Sequence, residues 1–196
     1  MRPRRRKRAR LFIPLLLLVC LGAISGAVYF TVRLPVLVKE TRTPPKVDNT
    51  PYLAQGLEQM GAGRLQDAAR SFESATRLDP QNVDAFIQWT RALTLLHQPG
   101  QAITAGEWAT RLDPRNALAQ AYLAQAYDWN GEIDRSIQAA LRAAELDPKG
   151  APAYAFLAEA YADKGQWEKA LEAARKAVQL DDTNVDAHRN LGYALE

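Results

Sequence analysis

The longest apolar stretch of the chain lies near its start. Residues 11–32 form 22 consecutive positions without a charged side chain, and Arg10 and Arg33 bound them. A helix of this length reaches about 33 Å, which is enough to cross the roughly 30 Å hydrocarbon core of a bilayer. Pro14 falls in the first turn of that helix, where its missing N–H costs little. The pattern therefore predicts a single transmembrane helix over residues 11–32.

A tripeptide recurs along the rest of the chain at a fixed interval. Leu-Asp-Pro occurs three times and Leu-Asp-Asp once, each 34 residues after the last, beginning at Leu78, Leu112, Leu146 and Leu180. Such a strict period predicts stacked copies of one supersecondary unit. The copies cover residues 49–82, 83–116, 117–150 and 151–184, and residues 185–196 open a fifth.

Each copy has the side-chain pattern of two packed helices. The first helix surrounds a small residue with large ones, as at Tyr154, Leu157, Ala158 and Tyr161. The second helix has two small residues seven positions apart, at Ala68/Ala75, Ala102/Ala109, Ser136/Ala143 and Ala170/Ala177. This pattern resembles the tetratricopeptide-repeat (TPR) family over residues 51–196. The resemblance implies an all-α fold, a right-handed helical solenoid of antiparallel helix pairs.

Turn and cap residues agree with these helix boundaries. Asn82, Asn116 and Asn184 stand where each next repeat begins and can accept a hydrogen bond from the first turn of its helix. Asn130-Gly131 and Lys164-Gly165 can end the first helix of a pair in the left-handed conformation. The aspartates of the repeated tripeptide are interpreted as turn residues rather than as acid–base or calcium-binding groups.

The second and fifth repeats depart from this pattern. The turn of the second repeat contains His97 in place of glycine, and Gly106 stands where a large residue normally packs. We therefore expect its second helix to be loosely packed, with Trp108 on the outer, convex side. The fifth repeat supplies only a first helix, which either caps the fourth repeat or belongs to a longer protein. The longer protein is the favoured interpretation.

The distribution of basic residues predicts the orientation of the transmembrane helix. Residues 1–10 contain seven Arg or Lys side chains and no acid. The segment between the apolar run and the repeats contains only four basic residues, which are Arg33, Lys39, Arg42 and Lys46. The positive-inside bias then places the basic tail in the cytoplasm and the repeats outside it. The intervening residues 33–50 contain three prolines and predict an extended linker.

Two other interpretations of the apolar run remain open. Ser25-Gly26-Ala27 could be the cleavage site of a signal peptide and release a secreted protein, but the run is longer than the usual apolar region of such peptides. Lipidation at Cys20 is disfavoured because Val19 precedes it where a small residue is needed. Cys20 is the only cysteine, so no intramolecular disulfide can form.

Charge and motif content favour binding over catalysis. From Pro51 onward there are 14 basic and 20 acidic residues, a balance that disfavours nucleic-acid binding. Only His97 and His188 are present, without metal-ligand spacing, and no nucleophile elbow or phosphate-binding loop occurs. We therefore expect no catalytic residue, no metal or cofactor, and no small-molecule substrate.

The family resemblance also suggests a binding surface, because the concave face of such solenoids is lined mainly by first helices and receives peptides or partner helices. The inward positions with the best candidate side chains are Ile87, Arg91, Gln125, Asp128, Trp129 and Glu159, with Asp163 and Arg189 nearby in the pattern. Trp129 either anchors a partner or covers the first helix of the next repeat. The aliphatic and acidic inward residues do not match the family's clamp for acidic chaperone tails.

The sequence as a whole predicts a membrane-tethered scaffold, of bacterial type, that binds a protein or peptide partner. One alternative is the recognition arm of a longer membrane enzyme. Another is an envelope assembly factor, such as a helper in cytochrome c maturation, by analogy with membrane-anchored members of the family.

Overall fold

The computed structural model describes residues 48–195, and for Leu195 the backbone alone. The predicted transmembrane helix over residues 11–32 and most of the predicted linker over residues 33–50 lie outside this range. Within it, no helix combines the length and apolar character that a membrane span requires.

The described residues form nine α-helices and no strand. In chain order they are α1 (Thr50–Gly61), α2 (Leu65–Leu78), α3 (Val83–Leu95), α4 (Pro99–Leu112), α5 (Ala117–Trp129), α6 (Ile133–Leu146), α7 (Ala151–Asp163), α8 (Trp167–Leu180) and α9 (Val185–Leu195). The first eight are the helix pairs of the four predicted repeats, and α9 is the first helix of the fifth. The predicted all-α repeat architecture is confirmed.

The helices form two layers with different spacing. Each odd-numbered helix packs against the next odd-numbered one, whereas the backbones of the even-numbered helices of the described region stay farther apart. A stack whose two layers differ in this way curves, with the closely spaced layer on the inside. The odd-numbered helices therefore line the concave side, and we call their solvent-facing side the inner surface.

Local side-chain hydrogen bonds explain where the helices begin and where the repeats end. Asn82, Asn116 and Asn184 each accept a hydrogen bond from the backbone N–H three residues on, at 2.9–3.0 Å. The aspartate of each repeated tripeptide accepts one from the N–H two residues on, at 3.0–3.1 Å, in Asp79, Asp113, Asp147 and Asp181. The predicted roles of both sets in caps and turns are confirmed.

The turn between α3 and α4 differs from the turns within the other helix pairs. In those pairs the turn contains Gly63, Gly131 or Gly165, with φ angles between 72° and 79°. His97 takes this place in the second repeat, at a φ of 55°. A residue with a Cβ adopts this conformation less readily than glycine, although histidine is found in it more often than most residues.

The helix α4 is not loosely packed at Gly106, contrary to expectation. A Cβ added to Gly106 would lie 3.0 Å from Cδ1 of Leu123 and 3.3 Å from Cγ2 of Thr90. The missing side chain therefore brings α4 close to its neighbours instead of leaving a gap. Trp108 lies on the outer side as predicted, 44% exposed, and stacks on Phe86 with 6.2 Å between ring centroids.

The helix α9 packs on the fourth repeat through Leu191 and through small and polar residues. Ala187 is fully buried, and Nδ2 of Asn190 donates a hydrogen bond to the backbone oxygen of Ala155 at 2.9 Å. Tyr193 remains 52% exposed and contacts Trp167 edge to face. The helix thus brings Arg189 beside the inner surface of α7.

Candidate functional site

Trp129 is held in place by residues from the repeats on either side of its own. Its indole Nε1 donates a hydrogen bond to Oε1 of Glu159, on α7, at 3.2 Å. Its ring stacks on the imidazole of His97, with 5.0 Å between centroids and 25° between planes. This stacking is the contact that accompanies the unusual backbone of His97. Trp129 is therefore a rigid, partly exposed aromatic side chain at the end of α5.

Glu159 continues this row of contacts toward the fifth repeat. Its carboxylate accepts the hydrogen bond of Trp129 and pairs with Arg189 of α9 at 3.4 Å. Arg189 also pairs with Asp186 at 3.0 Å. Burial raises the pKa of the Glu159 carboxyl, although Arg189 and Trp129 act in the opposite direction. The row places one aromatic and several charged groups along α5, α7 and α9.

Asp128 lies next to Trp129 and has a different environment. The residue is only 5% exposed, and its Oδ1 finds no hydrogen-bond partner among residues 48–195. Burial, followed by the negative charges of Glu159 and Asp163, raises the pKa of the Asp128 carboxyl to about 7. We call Asp128, Glu159 and Asp163 the acidic cluster. It holds carboxylates that the described protein satisfies only in part.

A second polar network surrounds Tyr127, and its groups all have hydrogen-bond partners. The Tyr127 hydroxyl donates to Glu107 at 3.0 Å and accepts from Arg135 at 2.6 Å. The Arg135 guanidinium also lies 4.0 Å from the centroid of the Tyr127 ring. Burial and the Glu107 contact raise the pKa of Tyr127 to about 12. Each group has a partner, so this network joins α4, α5 and α6 and has a structural role.

The six predicted groove residues have unequal access to a partner. Ile87 is 2% exposed and belongs to the core around Phe72, so it lies beneath the surface that a partner would meet. Gln125 is buried at 3% exposure. Arg91 is exposed, and its guanidinium lies 5.8 Å from the ring of Tyr122. Asp128, Trp129 and Glu159 come together as described above.

Both interpretations of Trp129 can now be compared with its contacts. The hydrogen bond to Glu159 shows that it does cover the first helix of the next repeat. Its partial exposure leaves the role of partner anchor as a prediction. The sequence did not reveal the stacking of His97, although the replacement of a turn glycine by histidine was a signal that could have prompted it.

A separate groove of about 700 Å³ lies on α7 and α8. Its apolar walls are Tyr154, Leu157 and Tyr161, and α8 lines it with both acidic and basic side chains, including Glu168, Lys169, Glu172, Arg175 and Lys176. Mixed charges of this kind are typical of a solvated helix face. The groove contains no residue of the acidic cluster, and its lining does not favour one ligand chemistry.

Comparisons with protein families agree with the repeats described above. A model described as tetratricopeptide repeat matches residues 53–87 and 91–151, and one described as TPR repeat matches residues 158–196. The matched ranges together cover more than half of the chain. No curated protein matches the sequence at a significant level.

Several solved structures share the fold. A thermophilic TPR protein of Thermus thermophilus is 22% identical, with a TM-score of 0.69 over 75% of this chain and 81% of that one, which shows the fold alone. YrrB, described as a TPR protein with an unusual peptide-binding site, is 26% identical, with a TM-score of 0.57 over 72% and 73%. MamA is 27% identical, with a TM-score of 0.56 over 71% and 81%.

Proposed function

Because this chain belongs to the tetratricopeptide-repeat family, we propose that it is a membrane-tethered scaffold that binds a segment of a partner protein on its inner surface. The observation that carries this proposal is the environment of Trp129. An aromatic side chain fixed by His97 and Glu159 has little conformational entropy to lose on binding, and such residues dominate binding energy at protein interfaces. The peptide-binding site in the description of YrrB supports the same use of the fold.

The tether is the second part of the proposal. The uncharged residues 11–32 and the basic residues 1–10 support a cytoplasmic N-terminus and an extracytoplasmic repeat domain. A tether confines the inner surface to a layer beside the membrane and so raises its effective concentration for partners in the same layer. The scaffold would then serve the assembly of membrane-associated complexes.

A pull-down from solubilised membranes tests the proposal with a matched control. The bait is the full-length protein from carbonate-washed membranes, compared with a Trp129→Ala, Arg91→Ala variant of the inner surface. The control is a Trp108→Ala, Arg111→Ala variant of the outer layer. It removes a tryptophan and an arginine whose guanidinium lies 4.8 Å from the centroid of the tryptophan ring. We expect mass spectrometry to identify a partner that the inner variant loses and the control retains.

Two results would contradict this account. Equal recovery of all partners by both variants would place binding outside the inner surface. Release of the bait into the carbonate wash would contradict the tether while leaving the binding surface untouched.

A further inference from the structure

The carboxyl group of Asp128 is buried, and the described protein does not satisfy its hydrogen-bonding capacity. One of its two oxygens accepts no hydrogen bond from residues 48–195, and only 5% of the residue is exposed. An unpaired buried carboxylate is costly, and a ligand of opposite charge offsets part of that cost. The group therefore marks a position that a ligand could complete.

The charges around Asp128 indicate the sign of that ligand. From α7, Glu159 and Asp163 both act on its carboxyl, and both carry negative charge. Arg189 of α9 is a cation beside this cluster, and it is engaged by Glu159 and Asp186. From the α3 side, His97 stacks on the neighbouring Trp129. Acidic groups outnumber basic ones, so a cation is the complementary ligand.

The aromatic neighbour narrows the class of cation. Trp129 lies beside the carboxyl groups and donates its Nε1 hydrogen to Glu159, which fixes the ring at the edge of the cluster. A lysine or arginine side chain combines an apolar stem, which packs on aromatic rings, with a charged end that binds carboxylates. The stem of such a side chain would pack on the Trp129 ring, and its charged end would bind the carboxyl groups of the acidic cluster.

We propose that the partner segment places a lysine or arginine side chain against Asp128, Glu159 and Asp163, with the stem of that side chain beside Trp129. This inference rests on the proposed function and gives it a chemical class, because the partner must present a basic residue within the bound segment. The basic side chain approaches the cluster at Glu159 and at the exposed Asp163, and its charge balances that of the Asp128 carboxyl, which lies deeper.

Selection from a random peptide library tests this inference and does not require that the partner be identified first. The full-length protein in detergent micelles is the target, beside Asp128→Asn and the control Asp67→Asn, an outer-layer carboxylate paired with Arg70. We expect Lys and Arg to be enriched at one position of the peptides selected by the wild type and by the control. We expect Asp128→Asn to select peptides without that enrichment.

A titration then measures the contribution of the charge. A selected peptide is compared with its copy in which acetyl-lysine or citrulline replaces the basic residue. We expect the basic peptide to bind the wild type about tenfold more tightly than the neutral copy, with the difference lost in Asp128→Asn. The advantage should grow from pH 6 to pH 8, because Asp128 ionises in that interval and Glu159 and Asp163 are its acidic neighbours.

The outcomes separate this inference from the function on which it rests. Peptides selected on the inner surface without a basic preference would overturn the inference and leave the proposed function standing. A library that yields no inner-surface binder would overturn both. A variant in which glutamine replaces the seven cations of residues 1–10 should bind the basic peptide unchanged. A large gain in its affinity would instead identify the chain's own tail as the occupant.

Discussion

Replacing Gly56 by alanine should lower the free energy of unfolding by about 1–3 kcal/mol, although alanine is the better helix former. A Cβ at this position of α1 would overlap Cε1 of Phe72 and would lie 2.7 Å from its Cδ1. Phe72 is fully buried in the core between the first two repeats, so its ring cannot turn into solvent. The two helices would have to separate, and the core would lose contacts along their length.

Gly61, at the end of the same helix, is the matched control. A Cβ there meets no atom within 4 Å, so Gly61→Ala should raise the free energy of unfolding by up to about 1 kcal/mol through helix propensity. Urea unfolding followed by circular dichroism measures both variants. Stabilisation of both to the same extent would show that Gly56 and Phe72 are not in close contact.

Asp128→Asn should be more stable than the wild type at pH 8. The difference between their free energies of unfolding should be roughly 1–3 kcal/mol larger at pH 8 than at pH 5. The pKa of Asp128 is raised from an ordinary 3.8 to about 7 by burial and by its acidic neighbours. A carboxyl with a raised pKa stabilises the folded state fully below about pH 4, where it is protonated in both states. That contribution is lost as the pH rises to about 7, because ionisation then favours unfolding.

Thermal melts of the two proteins at pH 5 and pH 8 measure this dependence. At pH 5 Asp128 is mostly protonated and resembles the asparagine amide, so the two melting temperatures should lie close together. At pH 8 the variant should melt at the higher temperature. Asp67→Asn, which alters an exposed ion pair, should change little at either pH. A constant difference between Asp128→Asn and the wild type across this range would contradict the buried environment of Asp128.

The features that the sequence predicted well depend on local chemistry. The helix boundaries follow from side chains that bond to their own backbone within three residues, as Asn82 and Asp79 do. Periodic small residues such as Ala68 and Ala102 specify where two helices touch, and both are fully buried. Such signals are complete within one repeat, and they recur in the other repeats.

The features that it missed depend on how closely adjacent repeats approach. A position in the repeat indicates which side of a helix a residue occupies, but not how deeply its neighbours cover it. Ile87 was expected on the open groove and is instead enclosed by the core of the first repeats. The loose packing expected at Gly106 failed for the same reason, because Leu123 of the next repeat closes the space.

Site-specific photo-cross-linking in cells shows directly which surface of the repeat domain meets a partner. Benzoylphenylalanine replaces Arg91 on the inner layer in one variant and Gln138 on the outer helix α6 in the other, and both positions are exposed. Position 91 is the repeat position that Glu159 occupies two repeats later. We expect a discrete cross-linked partner from position 91 that is absent from position 138. The same adduct from position 138 alone would show that the partner binds the outer face.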